Sequence, residues 1–203
     1  MASGNSESTT LQGPPESGGA VTVPLPVKMI VAGGFAVGKT TMVGAISEIE
    51  PLTTEAAITQ VSAGVDDMTG AEDKRSTTVA MDFGRVGLGP ELVLYLFGTP
   101  GQERFRFMWD DLVRGAVGAV VLVDTTRLAD CFPAIDYFES RTVPFVVAIN
   151  CFHGQVAHAV DEVREALQVE TGVPMILMDA RDRESVRSTL IEVVRHAMAR
   201  AGA

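Results

Sequence analysis

Gly33-Gly34-Phe35-Ala36-Val37-Gly38-Lys39-Thr40 is the stretch that decides the fold. It satisfies G-x-x-x-x-G-K-[ST] and stands between the apolar run Val27–Ala32 and a helix-period segment over Lys39–Ile49. That is the strand, loop and helix setting in which the pattern cradles phosphates. Glycines let successive backbone N–H groups converge on phosphate oxygens, and the helix N-terminus adds the positive end of its dipole. Lys39 supplies the charge for the β- and γ-phosphates, and the Thr40 hydroxyl is a hard-oxygen ligand of the kind Mg²⁺ takes. The expected phosphate-binding set is Gly33, Phe35, Ala36, Val37, Gly38, Lys39, Thr40 and Thr41. Its ligand is a nucleoside triphosphate with magnesium.

Outward from this loop, short apolar runs alternate with helix-period segments. Val27–Ala32, Leu92–Phe97, Val117–Val123, Phe145–Ile149 and Met175–Met178 are rich in apolar and β-branched residues on both faces, as parallel strands covered by helices must be. Helices are expected near Lys39–Ile49, Trp109–Arg114, Cys131–Ser140, Val156–Glu170 and Ser185–Ala199. Thr78–Gly87 reads as a further strand that enters a hairpin with Leu92–Phe97 through a Gly-rich turn. The expected fold is α/β: a three-layer P-loop NTPase sandwich with a six-stranded, mostly parallel sheet and one antiparallel edge strand. The Glu50–Ser76 connection has no clear period, and a loop that long is uncommon unless it is functional or mobile.

The chain has 203 residues, which suits one domain plus a tail. Residues 1–26, rich in Gly, Ser, Thr, Pro and Glu, are expected to be a disordered N-terminal tail and 27–203 the nucleotide-binding domain. The tail has no basic n-region or apolar core of a signal peptide. Ala2 excludes N-myristoylation, and the terminal Ala-Gly-Ala offers no prenyl-acceptor cysteine. The longest apolar run, near Ala116–Val123, is too short to span a bilayer. A formal charge of −10 with only three lysines, Lys28, Lys39 and Lys74, argues against a nucleic-acid partner. Two cysteines, Cys131 and Cys151, fit a reducing, cytoplasmic setting.

Further along stands Phe97-Gly98-Thr99-Pro100-Gly101-Gln102-Glu103-Arg104-Phe105, which resembles the D-T-A-G-Q-E-R-F segment of Ras-like small GTPases. Pro100 in place of Ala resembles the bacterial MglA branch. The runs T-T-V-A-M-D-F-G-R-V, V-D-T-T-R-L-A-D-C-F and D-A-R-D-R-E-S-V look like the small GTPases of actinobacterial conservon operons. The resemblance implies a GTP/GDP switch with Mg²⁺. In it Gly101 contacts the γ-phosphate, Gln102 orients the attacking water, and Thr78, with Thr77 as the neighbouring alternative, senses the γ-phosphate through the metal. It also implies a roadblock/LC7-type regulatory protein and a sensor-kinase-like complex as partners, with peripheral attachment at the membrane through them. Asp82-Phe83-Gly84 is not a protein-kinase signature here, because no H-R-D loop accompanies it.

The chain departs from the Ras pattern at three places. Gly98 stands where the metal-supporting aspartate is expected. Asp82, on the same strand face as Thr78, is the replacement, or else a strand-end carboxylate paired with a backbone group or Arg85. In Asn150-Cys151-Phe152-His153 only Asn150 matches N-K-x-D: Cys151 replaces the lysine along the base, and His153 the aspartate that accepts from guanine N1–H and the 2-amino group. Asp179-Ala180-Arg181 aligns with the S-A-K loop, where the Ala180 N–H would donate to guanine O6. GTP is preferred on balance, with ATP open. Third, Phe35 replaces a glycine, crowds the γ-phosphate and obstructs an arginine arriving in trans, so slow hydrolysis is expected. Arg75 is the nearest arginine in cis, followed by Arg104 and Arg106. Two functions stay open: a slow GTPase switch, or a nucleotide-binding scaffold with little turnover. A small-molecule kinase would need an Arg-rich lid, and no such insertion is evident.

Overall fold

The computed structural model describes residues 23–50, 52–59 and 76–202. In chain order these form β1 (Leu25–Gly33), α1 (Lys39–Ile46), β2 (Leu52–Thr59), β3 (Ser76–Gly87), β4 (Leu92–Gly98), α2 (Trp109–Val113), β5 (Ala116–Val123), α3 (Phe132–Glu139), β6 (Phe145–Asn150), α4 (Val160–Leu167), β7 (Met175–Met178) and α5 (Arg183–Ala201). The sheet order is β2-β3-β4-β1-β5-β6-β7. β3 runs antiparallel to both β2 and β4, and the pairs from β4 through β7 are parallel.

The period-2 alternation of the strands builds two cores. Ile30, Ala32, Ala119, Val121, Phe145, Val147 and Ile149 turn to the face covered by α2, α3 and α4. Their neighbours Met29, Val31, Val120, Leu122, Val146 and Ala148 turn to α1 and α5. Strands β1, β5 and β6 are therefore apolar on both faces, and full burial of side chains such as Phe138 or Leu190 contributes about 2–3 kcal/mol apiece.

The expected layered sheet with one antiparallel strand is present, and it has seven strands among the described residues where the sequence pattern marked six. The addition is β2, inside the Glu50–Ser76 connection that read as a loop. It pairs with β3 from Leu52↔Phe83 to Thr59↔Ser76, so the antiparallel strand lies one place in from the edge. The boundary set at residue 26 also moves: β1 begins at Leu25, which pairs with Leu92. α1 stops at Ile46, three residues early, and α4 starts at Val160, four residues late. Among the described residues no helix is long and apolar enough to cross a membrane.

Candidate functional site

β1 ends at the central position of the sheet, and its carboxyl edge delivers the 33–40 loop to the crevice between neighbouring strands, where open α/β sheets bind ligands. Five of the loop's carbonyls are occupied by the protein. Lys39 Nζ donates to the carbonyls of Gly33 (3.0 Å) and Gly34 (2.6 Å). An Arg127 guanidinium nitrogen donates to the Phe35 carbonyl at 3.0 Å. Asn150 Nδ2 donates to the Val37 carbonyl at 3.0 Å, and the Met42 amide to that of Gly38 at 2.8 Å. The amides of Ala36, Val37, Gly38 and Lys39 have no acceptor among the described residues. A loop with bonded carbonyls and unbonded amides, followed by a helix N-terminus, is an anion cradle.

Left-handed backbone makes this possible at Gly38, with φ +108°, where an added Cβ would lie 2.7 Å from Asn150 Nδ2. Ala36 adopts φ +59° with a side chain, which is strained for a residue other than glycine.

Lys39 is buried, and burial lowers its ammonium to about 8 from 10.5, with Asp82 pulling the other way. The unfolded lysine keeps its proton to about 10.5 while the folded one sheds it near 8, so between those values the unfolded chain binds more protons. Stability of the nucleotide-free protein therefore rises with pH across that window. Lys39→Met removes this rise, and urea unfolding of the two proteins on either side of pH 8 measures the difference. Parallel profiles would refute the assignment.

On the other side of the loop the Thr40 hydroxyl donates to Asp82 Oδ2 at 2.7 Å. Asp82 lies one step beyond the Phe83↔Phe97 pair, opposite Gly98. A Cβ on Gly98 would lie 3.1 Å from Asp82 Cβ and 3.2 Å from Oδ2, so Asp82 fills the space that a side chain on Gly98 would need. Two hard oxygens, a hydroxyl and a carboxylate, thus meet at the mouth of the cradle. No group of three or more His, Cys, Asp or Glu that could hold a metal ion occurs among the described residues. This donor set fits Mg²⁺, which takes one or two protein oxygens and fills its octahedron with phosphate and water. Thr78 lies in β3 opposite Ala57 and Thr77 opposite Ile58; their side chains lie outside the described residues.

A cleft of about 240 Å³ runs between the loop and the segment after β4, lined by Gly33, Gly34, Gly101, Gln102, Arg106 and Asp130 among others. It brings Gln102, exposed, next to the phosphate loop. Gly101 packs so closely that a Cβ there would lie 2.8 Å from Lys39 Nζ and 3.0 Å from Phe35 Cα. Phe35 itself is exposed. Of the arginines considered in cis, Arg75 lies outside the described residues. Arg104 stacks on the Phe105 ring, and Arg106 donates to the Pro133 carbonyl at 3.0 Å while lying over Trp109.

At the base end the residues aligned with the base-reading motifs bond to one another. Asn150 is buried with both ends of its amide committed, Nδ2 to Val37 and Oδ1 to the Ala180 amide at 3.1 Å. The Ala180 N–H assigned to a base oxygen is thus engaged inside the protein, and Asn150 ties the two loops together. Cys151 is buried, its amide donating to the Met178 carbonyl at 2.6 Å, and burial pushes its thiol up. It does not extend along a base as a lysine would. Arg181 forks onto Asp179 at 3.0 and 2.7 Å. His153 belongs to a 3₁₀ turn over Phe152–Gly154, and its side chain lies outside the described residues.

Sequence reasoning missed Asp124, Arg127 and Asp130. Asp124 Oδ1 accepts from the Thr126 amide and hydroxyl at 2.9 and 2.6 Å, and Oδ2 from Arg127 Nε at 3.3 Å. Burial alone would raise the Asp124 carboxyl, but these bonds hold it below the ordinary carboxylate range. The signal was Asp124-x-Thr126, an Asx-turn pattern at a strand exit.

The family model described as "Conserved hypothetical ATP binding protein" matches residues 31–200. The chain is 28% identical over 126 residues to the uncharacterized protein MJ1339 of Methanocaldococcus jannaschii, covering 61% of this chain and 69% of that protein. It is 24% identical over 181 residues to the Ras-related protein RABC2a of Arabidopsis thaliana, covering 83% and 76%. Among solved structures, the cytosolic domain of the T. maritima FeoB iron transporter in a GDP form aligns with TM-score 0.61 and 15% identity over 86% of this chain. This chain spans 64% of that domain and 99% of the separately solved FeoB G domain. The chain has the P-loop GTPase fold, and it belongs to the family of conserved hypothetical ATP binding proteins.

Proposed function

We propose that this chain binds GTP with Mg²⁺ and hydrolyses it slowly, GTP and water giving GDP and phosphate, as a molecular switch. The observation that carries the reading is the Thr40–Asp82 contact opposite Gly98, which sets a carboxylate beside the Thr40 hydroxyl, across one strand pair from the place where the metal-supporting aspartate is expected. When bound, Mg²⁺ neutralises charge on the β- and γ-phosphates. Around it Thr40 is the direct ligand, Asp82 orients that side, and Thr78 reports the γ-phosphate. Lys39 exchanges its two loop carbonyls for phosphate oxygens, Gly101 offers its N–H to the γ-phosphate, and Gln102 orients the attacking water. Arg75 is an additional cation for the transferring phosphoryl group. These are positioning roles, which is most of what phosphoryl transfer asks of a protein. Phe35, exposed on the loop, favours slow turnover by crowding the approach of an arginine from a partner.

The Ras-related relatives, named as such, support a guanine nucleotide. A second reading, a nucleotide-binding scaffold that accepts ATP or barely turns over, is favoured by the engaged Ala180 amide, by His153 in the aspartate position and by the family's description. The switch reading places the protein in the cytoplasm, in a bacterial signalling complex of the MglA or conservon type. Its partners there are a roadblock/LC7-type regulator and a sensor-kinase-like protein, through which it reaches the membrane periphery.

The test uses purified protein: chromatography of the nucleotide it retains, then phosphate release from GTP and ATP with and without Mg²⁺. Retained guanine nucleotide and Mg²⁺-dependent release that falls to background in Gln102→Leu, with binding kept, are the expected results. Absence of any bound or exchangeable GTP would overturn the switch; ATP bound as well as GTP, without release, would establish the scaffold.

A further inference from the structure

Arg127, to which the sequence reading gave no role, hydrogen-bonds to the phosphate loop. It follows β5 in the turn Asp124–Arg127, whose Arg127 amide donates to the Asp124 carbonyl at 3.0 Å. Its guanidinium is braced on three sides: Nε and one terminal nitrogen against Asp124 Oδ2 at 3.3 and 3.4 Å, the other terminal nitrogen toward Asp130 Oδ2 at 3.7 Å, and the Phe35 carbonyl at 3.0 Å. Asp124 is itself fixed by Thr126 and largely buried. Asp130 backs onto the loop so closely that a Cβ on Gly34 would lie 2.8 Å from its own Cβ.

A carbonyl and the following N–H belong to one planar unit and, in a trans peptide, point in opposite directions. A donor that holds the Phe35 carbonyl on the outside of the loop therefore turns the Ala36 N–H to the inside, among the unbonded amides of Val37, Gly38 and Lys39. The unit needs holding, because Ala36 carries φ +59° with a side chain, and rotation of the Phe35–Ala36 plane would relieve that strain. The loop's other bonded carbonyls are held by Lys39, Asn150 and the start of α1. Among the described residues, only the Phe35 carbonyl depends on a surface arginine.

We propose that Arg127 is a positioning residue for the phosphate site, locking the Phe35–Ala36 peptide so that the Ala36 N–H faces the anion. The role rests on the reading of the loop as a nucleotide cradle. It acts through the backbone, with the guanidinium on the outside of the loop, and so differs from an arginine that reaches the γ-phosphate. The planar fork is what allows one side chain to grip Asp124 and the Phe35 carbonyl together, which an ammonium does only in part.

The test is displacement of a fluorescent guanine nucleotide by GTP from wild type, Arg127→Ala, Arg127→Lys, Ala36→Gly and the Arg127→Ala, Ala36→Gly double variant. Arg127→Ala is expected to weaken binding about tenfold, the scale of one charge-assisted hydrogen bond. Arg127→Lys falls between. In the Ala36→Gly background, where the left-handed conformation costs nothing, the loss shrinks to a few-fold. A purely electrostatic role would be kept by lysine and would be indifferent to Ala36→Gly. Equal losses in both backgrounds, or none in Arg127→Ala, would overturn the lock while leaving the cradle standing. Resonances of the nucleotide-free protein give a second measurement: Arg127→Ala should shift the Phe35 carbonyl carbon and broaden the Ala36 amide by exchange. Unchanged resonances refute the lock. If wild type binds neither GTP nor ATP, the nucleotide reading falls and these resonances alone decide.

Discussion

Asp82→Ala weakens Mg²⁺-dependent nucleotide retention about 10- to 100-fold, the usual cost of losing a carboxylate that orients a metal ligand. Gly98→Asp alone fares no better. Its Cβ arrives 3.1 Å from Asp82 Cβ and 3.2 Å from Oδ2, which crowds the strand pair and sets two carboxylates on one spot. Put together as Asp82→Gly with Gly98→Asp, the two changes restore retention, since the carboxylate then rises from the neighbouring strand into the space just vacated. Release of a fluorescent nucleotide across a magnesium titration measures all four proteins. A double variant as poor as either single one would break the link between these positions. An Asp82→Ala protein with wild-type magnesium dependence would remove the carboxylate from the site altogether.

Gly38→Ala is the second large effect, and it acts on folding as well as binding. At φ +108° an L side chain is strained by about 1–3 kcal/mol. Its Cβ would press to 2.7 Å from Asn150 Nδ2 and break the buried bond to the Val37 carbonyl, about 1–3 kcal/mol more. A loss on the order of 3 kcal/mol is a large share of the 5–15 kcal/mol typical of a whole domain, and the melting temperature falls by roughly 10 °C. Gly44→Ala is the internal contrast. That glycine lies inside α1 with nothing within 4 Å of an added Cβ, so the helix gains about 0.5–1 kcal/mol. Thermal melts that move the same way for both substitutions would contradict this account of the loop.

What could be read from the sequence was what local backbone and periodicity dictate. The phosphate loop is legible because its glycines, lysine and hydroxyl are neighbours in the chain, and the covered strands because each is apolar on both faces. β2 was not legible: five of the eight residues of LTTEAAIT are Thr or Ala, and an edge strand is required to be apolar on neither side. Asp82 could be placed on a strand face with Thr78, but its opposition to Gly98 is a matter of register between β3 and β4. Arg127 was hidden for a similar reason, since its partner Phe35 lies 92 positions earlier and meets it only because β5 packs beside β1. At the base end the alignment transferred the place of Ala180 without saying which neighbour its amide takes, which in this structure is Asn150 Oδ1.

The Asn150 amide joins the Val37 carbonyl, 113 positions earlier, to the Ala180 amide, 30 positions later. A ribosome adding about 5–20 residues per second therefore exposes the glycine loop on the order of ten seconds before the residues that secure it have been made. Until β6 and β7 emerge, the nascent chain has the lysine and the glycines without the brace. The nucleotide site is completed only once Asn150 and Ala180 have been made, and chains truncated before Asn150 should leave the ribosome unable to hold a ligand at all.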